Sequence, residues 1–144
     1  GRLSAESKIQ IRSMLREISE IESICDSCYN ISRIINRKFQ SKESFTEEQI
    51  KHIEHMFNLC DNALSQMKNV LANTNEDINK SLNIENEINA YRTQLKENNV
   101  GDIDERKYSY QSGVNYMDII GDCEKLGDFT INVVEAHAGV KLTT

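Results

Sequence analysis

The chain is predicted to be all-α, an up-and-down bundle of four long helices. Three observations predict it: proline is absent, apolar residues recur at helical spacing over long stretches, and strand-type alternation is evident nowhere. A length of 144 residues suits one domain with a real core and is too short for two. Six glycines, no tryptophan and stretches rich in Glu, Lys, Asn, Ile and Leu fit helices joined by few, short turns.

The first helix is expected from about Ser4 to Phe39, with Ile11, Met14, Leu15, Ile18, Ile21, Cys25, Cys28, Ile31 and Ile35 as its inward stripe. Ser41 to Phe45 then turns the chain. Thr46 followed by Gln49 is a capping-box pattern, and Ile50, Ile53, Met56, Cys60, Leu64, Met67 and Leu71 carry the second helix. Asn73 to Asn75 interrupts it. A third helix is expected from about Glu76 to Glu97, with Ile78, Leu82, Ile88, Tyr91 and Leu95 inward, ending at the Asn98, Asn99 and Gly101 cluster. Asp102 with Glu105 is read as the cap of the fourth helix, whose apolar side carries Tyr108, Val114, Met117, Ile120, Ile131 and Val134 and which reaches Ala138. The first and fourth helices would each be about 35 residues, or roughly 50 Å long. Short loops make sequential neighbours antiparallel.

Composition narrows the function classes. A net charge of −6 argues against nucleic acid as a partner, because phosphate backbones need clustered Lys and Arg. The one basic cluster in sequence, Arg33, Arg37 and Lys38, lies where a helix ends and suits the negative end of its dipole. No run of about 18 apolar residues exists to span a bilayer, and no signal peptide is visible, so the chain itself reads as soluble. Since it opens with Gly1 and not Met, it reads as a piece of a longer protein. Cys25, Cys28, Cys60 and Cys123 do not make a zinc or redox motif, since no second closely spaced Cys or His pair completes one. They read as small buried apolar residues.

One acidic pattern occurs twice, as Glu20, Glu22, Ile24, Asp26, Asn30 and as Asp122, Glu124, Leu126, Asp128, Asn132, with 102 residues from Glu22 to Glu124. Residues four apart stand on one helix face, so Glu22, Asp26 and Asn30 form an oxygen-bearing ridge, and Glu124, Asp128 and Asn132 a second. Like charges at this spacing weaken an isolated helix by roughly 0.2–0.5 kcal/mol per pair. A bound cation would reverse the sign; a solvated face is the plainer reading. Both ridges lie beside apolar positions, and Glu85 lies in line with Ile78, Leu82 and Ile88. Carboxylates at a core edge need pairing, hydrogen bonds or coordination, and Arg92 or Lys125 could supply the pairing.

The stretch Asp122-Cys123-Glu124-Lys125-Leu126-Gly127-Asp128, followed by Asn132-Val133-Val134-Glu135, resembles the hallmark of PhoU-type domains, acidic-Leu-Glu-Arg-Ile-Gly-Asp and then Asn-Ile-Ala. Lys125 stands for the usual Arg and Leu126 for the usual Ile. In the first copy Ser23 and Cys25 replace Arg and Gly, and Asn89 stands where an acid is usual after Glu85. Such domains are two similar three-helix units with the acidic motif on the third helix of each. By that mapping 46–138 is a spectrin-repeat-like three-helix unit, and 1–40 is the last helix of a preceding unit whose other helices are not in this chain.

The resemblance implies a regulator of phosphate uptake and no enzyme. It implies iron or zinc, with magnesium less favoured, held by Glu-or-Asp-x-x-x-Asp motifs. The implied ligands are Asp118 with Asp122, Glu124 with Asp128, and Glu22 with Asp26, and a fragment lacking half the ligands would hold no metal. It further implies the cytoplasmic C-terminal part of a sodium/phosphate symporter at the inner membrane. The expected partner is the parent's membrane domain, a phosphate-signalling protein or a second copy. The alternatives are a structural or dimerising helical module and a di-iron carboxylate enzyme. The latter needs Glu-x-x-His on two helices, and none of His52, His55 and His137 lies three residues after a Glu.

Overall fold

A computed structural model describes residues 1–73 and 75–139 of the chain. It holds four helices, α1 (Ala5–Gln40), α2 (Glu47–Ala72), α3 (Ile78–Asp104) and α4 (Tyr110–Ala138), with no strand among the described residues. The all-α bundle predicted from the sequence is the fold observed. No helix of the described residues is long and apolar enough to cross a membrane.

Each helix starts on a side chain that satisfies amide groups left free in a first turn. Ser4 accepts from Ser7 N on α1, Asp77 from Asn79 N on α3, and Ser109 from Ser112 N on α4. At α2 the predicted capping box is complete: Thr46 Oγ1 accepts from Gln49 N at 3.1 Å, and Gln49 Oε1 accepts from Thr46 N at 3.0 Å. Gly139 closes α4 in the left-handed conformation at φ 69°, where a side chain would be strained.

The helices run up and down, with α4 in the middle: α1, α2 and α3 all pack on it, and α2 packs on α3. Met56, Ile88, Ile119, Ile120, Cys123 and Val133 are fully buried where α2, α3 and α4 meet. Burying each large aliphatic side chain stabilises by about 1.5–3 kcal/mol, so this three-helix unit is the thermodynamic centre. Gly127 lets α3 close on α4, since a Cβ there would stand 3.1 Å from Ile88 Cδ1.

Three expectations are corrected. The backbone of α1 runs close to α4 alone, so α1 buries only the narrow strip Ile24, Ser27, Ile31, Ile34 and Lys38. The expected stripe of Ile11, Met14, Leu15, Ile18, Ile21 and Ile35 is exposed instead. For the same reason Cys25 and Cys28 are exposed, whereas Cys60 and Cys123 are buried as predicted.

The third correction is the α3–α4 junction. Asn98, Asn99 and Gly101 lie inside α3, and α4 starts at Ser109 and not at Asp102. Tertiary partners override the local breaker signal there. Tyr108 Oη donates to Asn99 Oδ1 at 2.6 Å, and Ile103 packs against Gly113 of α4. Arg106, at φ 58°, then turns the chain, and Asp102 holds Lys107 Nζ at 3.0 Å.

Candidate functional site

The two copies of the acidic pattern lie against each other. α1 and α4 are antiparallel, and the copies cross near Ile24 and Leu126, which are both buried. On one side of the crossing, Asn132 Nδ2 of the second copy donates to Glu20 Oε2 of the first at 3.1 Å. One turn further, His137 Nδ1 lies 3.0 Å from Glu17 Oε1, and Arg16 Nη2 lies 4.0 Å from Glu135 Oε2. The duplication in sequence is thus an approximate two-fold relation in space, which relates Glu20 with Asn132 to Asn30 with Asp122.

The acids of α4 are met by α3. Arg92 Nε lies 3.5 Å from Glu124 Oε2; this is an ion pair without hydrogen-bond alignment, since Arg92 Nε has no hydrogen-bond partner. Arg92 is one of the two cations that the sequence offered for the carboxylates at the core edge. Asp128 meets Glu85, whose carboxyl is pushed up to about 7 by burial first, then by a hydrogen bond and negative charge from Asp128, with Glu135 adding to it. A hydrogen bond between two carboxyl groups needs one of them protonated, and the raised group is Glu85.

The same acids on α1 have no such neighbours. Glu22 and Asp26 are exposed, and neither makes an ion pair among the described residues.

Asp118 and Asp122 lie elsewhere, on the wall of a cleft of about 640 Å³ between α1, α3 and α4. Asn30, the two-fold counterpart of Asn132, lines it too. Burial raises the carboxyl of Asp122, with the charge of Asp118 adding and Lys125 opposing. Arg33, Arg37, Arg92, Lys96 and Lys125 line the same cleft.

The six implied ligands therefore fall into three separate places: an exposed ridge, a cation-lined cleft, and a wall against α3. Among the described residues, no three of His, Cys, Asp and Glu are grouped so as to hold a metal ion. The donors among the described residues do not by themselves fit iron or zinc.

At the opposite side of α4, His52 Nδ1 lies 2.8 Å from Tyr116 Oη, and His55 stacks edge-on to Tyr91 with ring centroids 4.7 Å apart. Burial raises the Tyr116 phenol well above its ordinary range. Tyr108 and Tyr116 are core residues, and Tyr110 is exposed. Lys38, read in sequence as a dipole partner, is buried, donating to Ser112 Oγ at 2.9 Å and lying 4.8 Å from the Phe45 ring centroid.

The cleft was missed in sequence because its cations come from three helices that only tertiary packing brings together. The crossing of the two motif copies was missed as well, although the duplication itself was the signal for it.

A family model described as PhoU domain matches residues 53–136, more than half of the chain and all of the α4 motif. No curated protein and no solved structure matches the chain at a significant level.

Proposed function

The chain belongs to the PhoU domain family, and on that premise we propose that it is a non-catalytic regulatory domain of phosphate uptake, carried at the cytoplasmic face of the inner membrane by a sodium/phosphate symporter. Family membership places it in phosphate homeostasis or its regulation. The symporter context, the docking mode and the role of metal are our reading.

The observation that carries the reading is the unequal treatment of two equal motifs. On α4 the acids Glu124 and Asp128 are met by Arg92 and Glu85 of α3. On α1 the matching Glu22 and Asp26 stand in solvent, beside exposed Ile11, Met14, Leu15, Ile18 and Ile21. A helix face that is both apolar and acidic, with the motif that calls for a neighbour elsewhere in the same chain, is a docking face. Its occupant is a pair of helices from the parent chain, which complete a first three-helix unit around α1 as 46–138 makes the second. Regulation then follows from population shift: a partner that binds the assembled domain better in one transporter state biases that state.

Iron or zinc enters this reading only through donors from outside residues 1–144 that join Glu22 and Asp26. Within the chain, Arg92 neutralises Glu124, and the cleft cations surround Asp118 and Asp122.

The test is radiolabelled phosphate uptake by cells whose parent protein carries Leu15→Asp and Ile18→Asp. The expected result is uptake that no longer responds to external phosphate, at unchanged protein level. Unaltered uptake and response would overturn the reading. A change in oligomeric state alone would make the face an assembly contact of a structural module.

A further inference from the structure

The cleft between α1, α3 and α4 gathers positive charge in a chain that is acidic as a whole. Five of the 17 Lys and Arg residues line it, against two acids, Asp118 and Asp122. Arg33 and Arg37 come from α1, Arg92 and Lys96 from α3, and Lys125 from α4.

Local helix chemistry does not account for this. Arg37 lies in the last turn of α1 and is favoured there by the dipole; Arg33 precedes that turn and lies over the Tyr29 ring, 5.8 Å from its centroid, which leaves its charge without an anion, and Arg92 and Lys96 are well inside α3. Arg33 with Arg37, and Arg92 with Lys96, are like charges four apart, which repel on a helix. Among the described residues, Arg33, Arg37, Lys96 and Lys125 make no ion pair. Arg92 Nε, held by Glu124 in charge, is buried with no hydrogen-bond partner. Asn99 also lines the cleft, and since its oxygen already accepts from Tyr108 Oη, its free polar group is a donor.

We propose that this cleft binds a polyvalent phosphate anion, the phosphate chain of either a condensed phosphate or a nucleoside triphosphate. Guanidinium groups match phosphate oxygens through paired N–H donors, and the lysines add point charge. The volume of about 640 Å³ falls within the roughly 300–1,000 Å³ of small-molecule sites and exceeds what one tetrahedral oxyanion fills. Cations spread over three helices call for charge spread along a chain. The proposal rests on the cleft and not on the symporter reading.

The experiment is calorimetric titration of the 144-residue chain with tripolyphosphate, ATP and orthophosphate, without added metal. Saturable one-to-one binding of tripolyphosphate is expected, weaker for orthophosphate and falling steeply with salt. Arg37→Ala with Lys96→Ala, both exposed residues, should weaken it by roughly tenfold or more at unchanged helix content. Lys51→Ala with Lys68→Ala, exposed lysines outside the cleft, should leave it unchanged. ATP binding tighter than tripolyphosphate makes the ligand a nucleotide; equal affinity makes it the phosphate chain. No saturable binding by any of the three anions would overturn the proposal. So would equal affinity for orthophosphate, equal loss in both double variants, or no loss in the Arg37 and Lys96 variant.

Discussion

The proton that Glu85 holds beside Asp128 ties one residue contact to a pH dependence. Glu85 is raised in the folded chain from an ordinary value of 4.5 to about 7, so the folded state binds the extra proton between those values. Stability from protonated Glu85 is fully present below 4.5 and is lost as pH rises through about 7. Glu85→Gln keeps the hydrogen-bonding shape and removes the charge. Because the pair is only partly buried, solvent screening leaves an effect on the order of 1 kcal/mol. Urea unfolding from pH 4 to 8 should show Glu85→Gln gaining on the unsubstituted chain as pH rises through this window; parallel curves would sink the assignment. The same hydrogen bond with Glu85 occupies Asp128 and disfavours a metal there in this chain. After loading with ferrous iron or zinc and desalting, elemental analysis should find no stoichiometric metal. One ion per chain, lost in Asp122→Ala/Glu124→Ala/Asp128→Ala, would instead restore the ligand set implied by the family resemblance. Sequence offered Arg92 as one of two cations for the carboxylates at the core edge, and the structure pairs it with Glu124. Sequence could not carry the choice over Lys125, which depends on α3 lying antiparallel to α4.

At the scale of elements, the start of α2 at Thr46 was legible because its capping box is a local interaction between residues three apart. The end of α3 was not, because Asn99 and Ile103 are held by Tyr108 and Gly113 across the turn. That difference is testable. Gly101 is exposed, inside α3, with nothing within 4 Å of an added Cβ. Gly101→Ala should therefore stabilise the chain by about 0.5–1 kcal/mol, the helix-propensity gain; a loss in thermal unfolding would mean that the helix stops where the Asn98 to Gly101 cluster suggests. Conversely, Ser109 accepts from Ser112 N at 3.1 Å and its hydroxyl and backbone N–H both bond the Glu43 carboxylate. Those bonds hold Glu43 below the ordinary carboxylate range. Ser109→Ala should cost about 1 kcal/mol, whereas Asp102→Ala, at the cap expected from sequence, should leave the start of α4 intact in amide hydrogen exchange.

For the whole molecule, the decisive question is what α1 packs against, and period alone could not answer it. Apolar residues at helical spacing say that a face is buried somewhere, not in which assembly. In this chain the strip against α4 is Ile24, Ile31 and Ile34, and the richer stripe before it stays outside. The two faces should respond to mutation in opposite ways. Ile31→Ala, on the inner strip at 8 % exposure, removes packing against α4 and should cost about 2–4 kcal/mol in urea unfolding. Leu15→Asp with Ile18→Asp, at 61 % and 54 % exposure, should change it by about 0.5 kcal/mol or less. The same double substitution should nevertheless abolish any concentration dependence in the sedimentation of the isolated chain, because two bare apolar faces bury one another when the native occupant is missing. A double variant as unstable as Ile31→Ala would mean that the outer stripe is already packed within the chain, and the docking face would be lost as an idea. Full stability together with a loss of association makes the outer stripe of α1 a free apolar face that another surface covers, separate from the inner strip that holds α1 to α4.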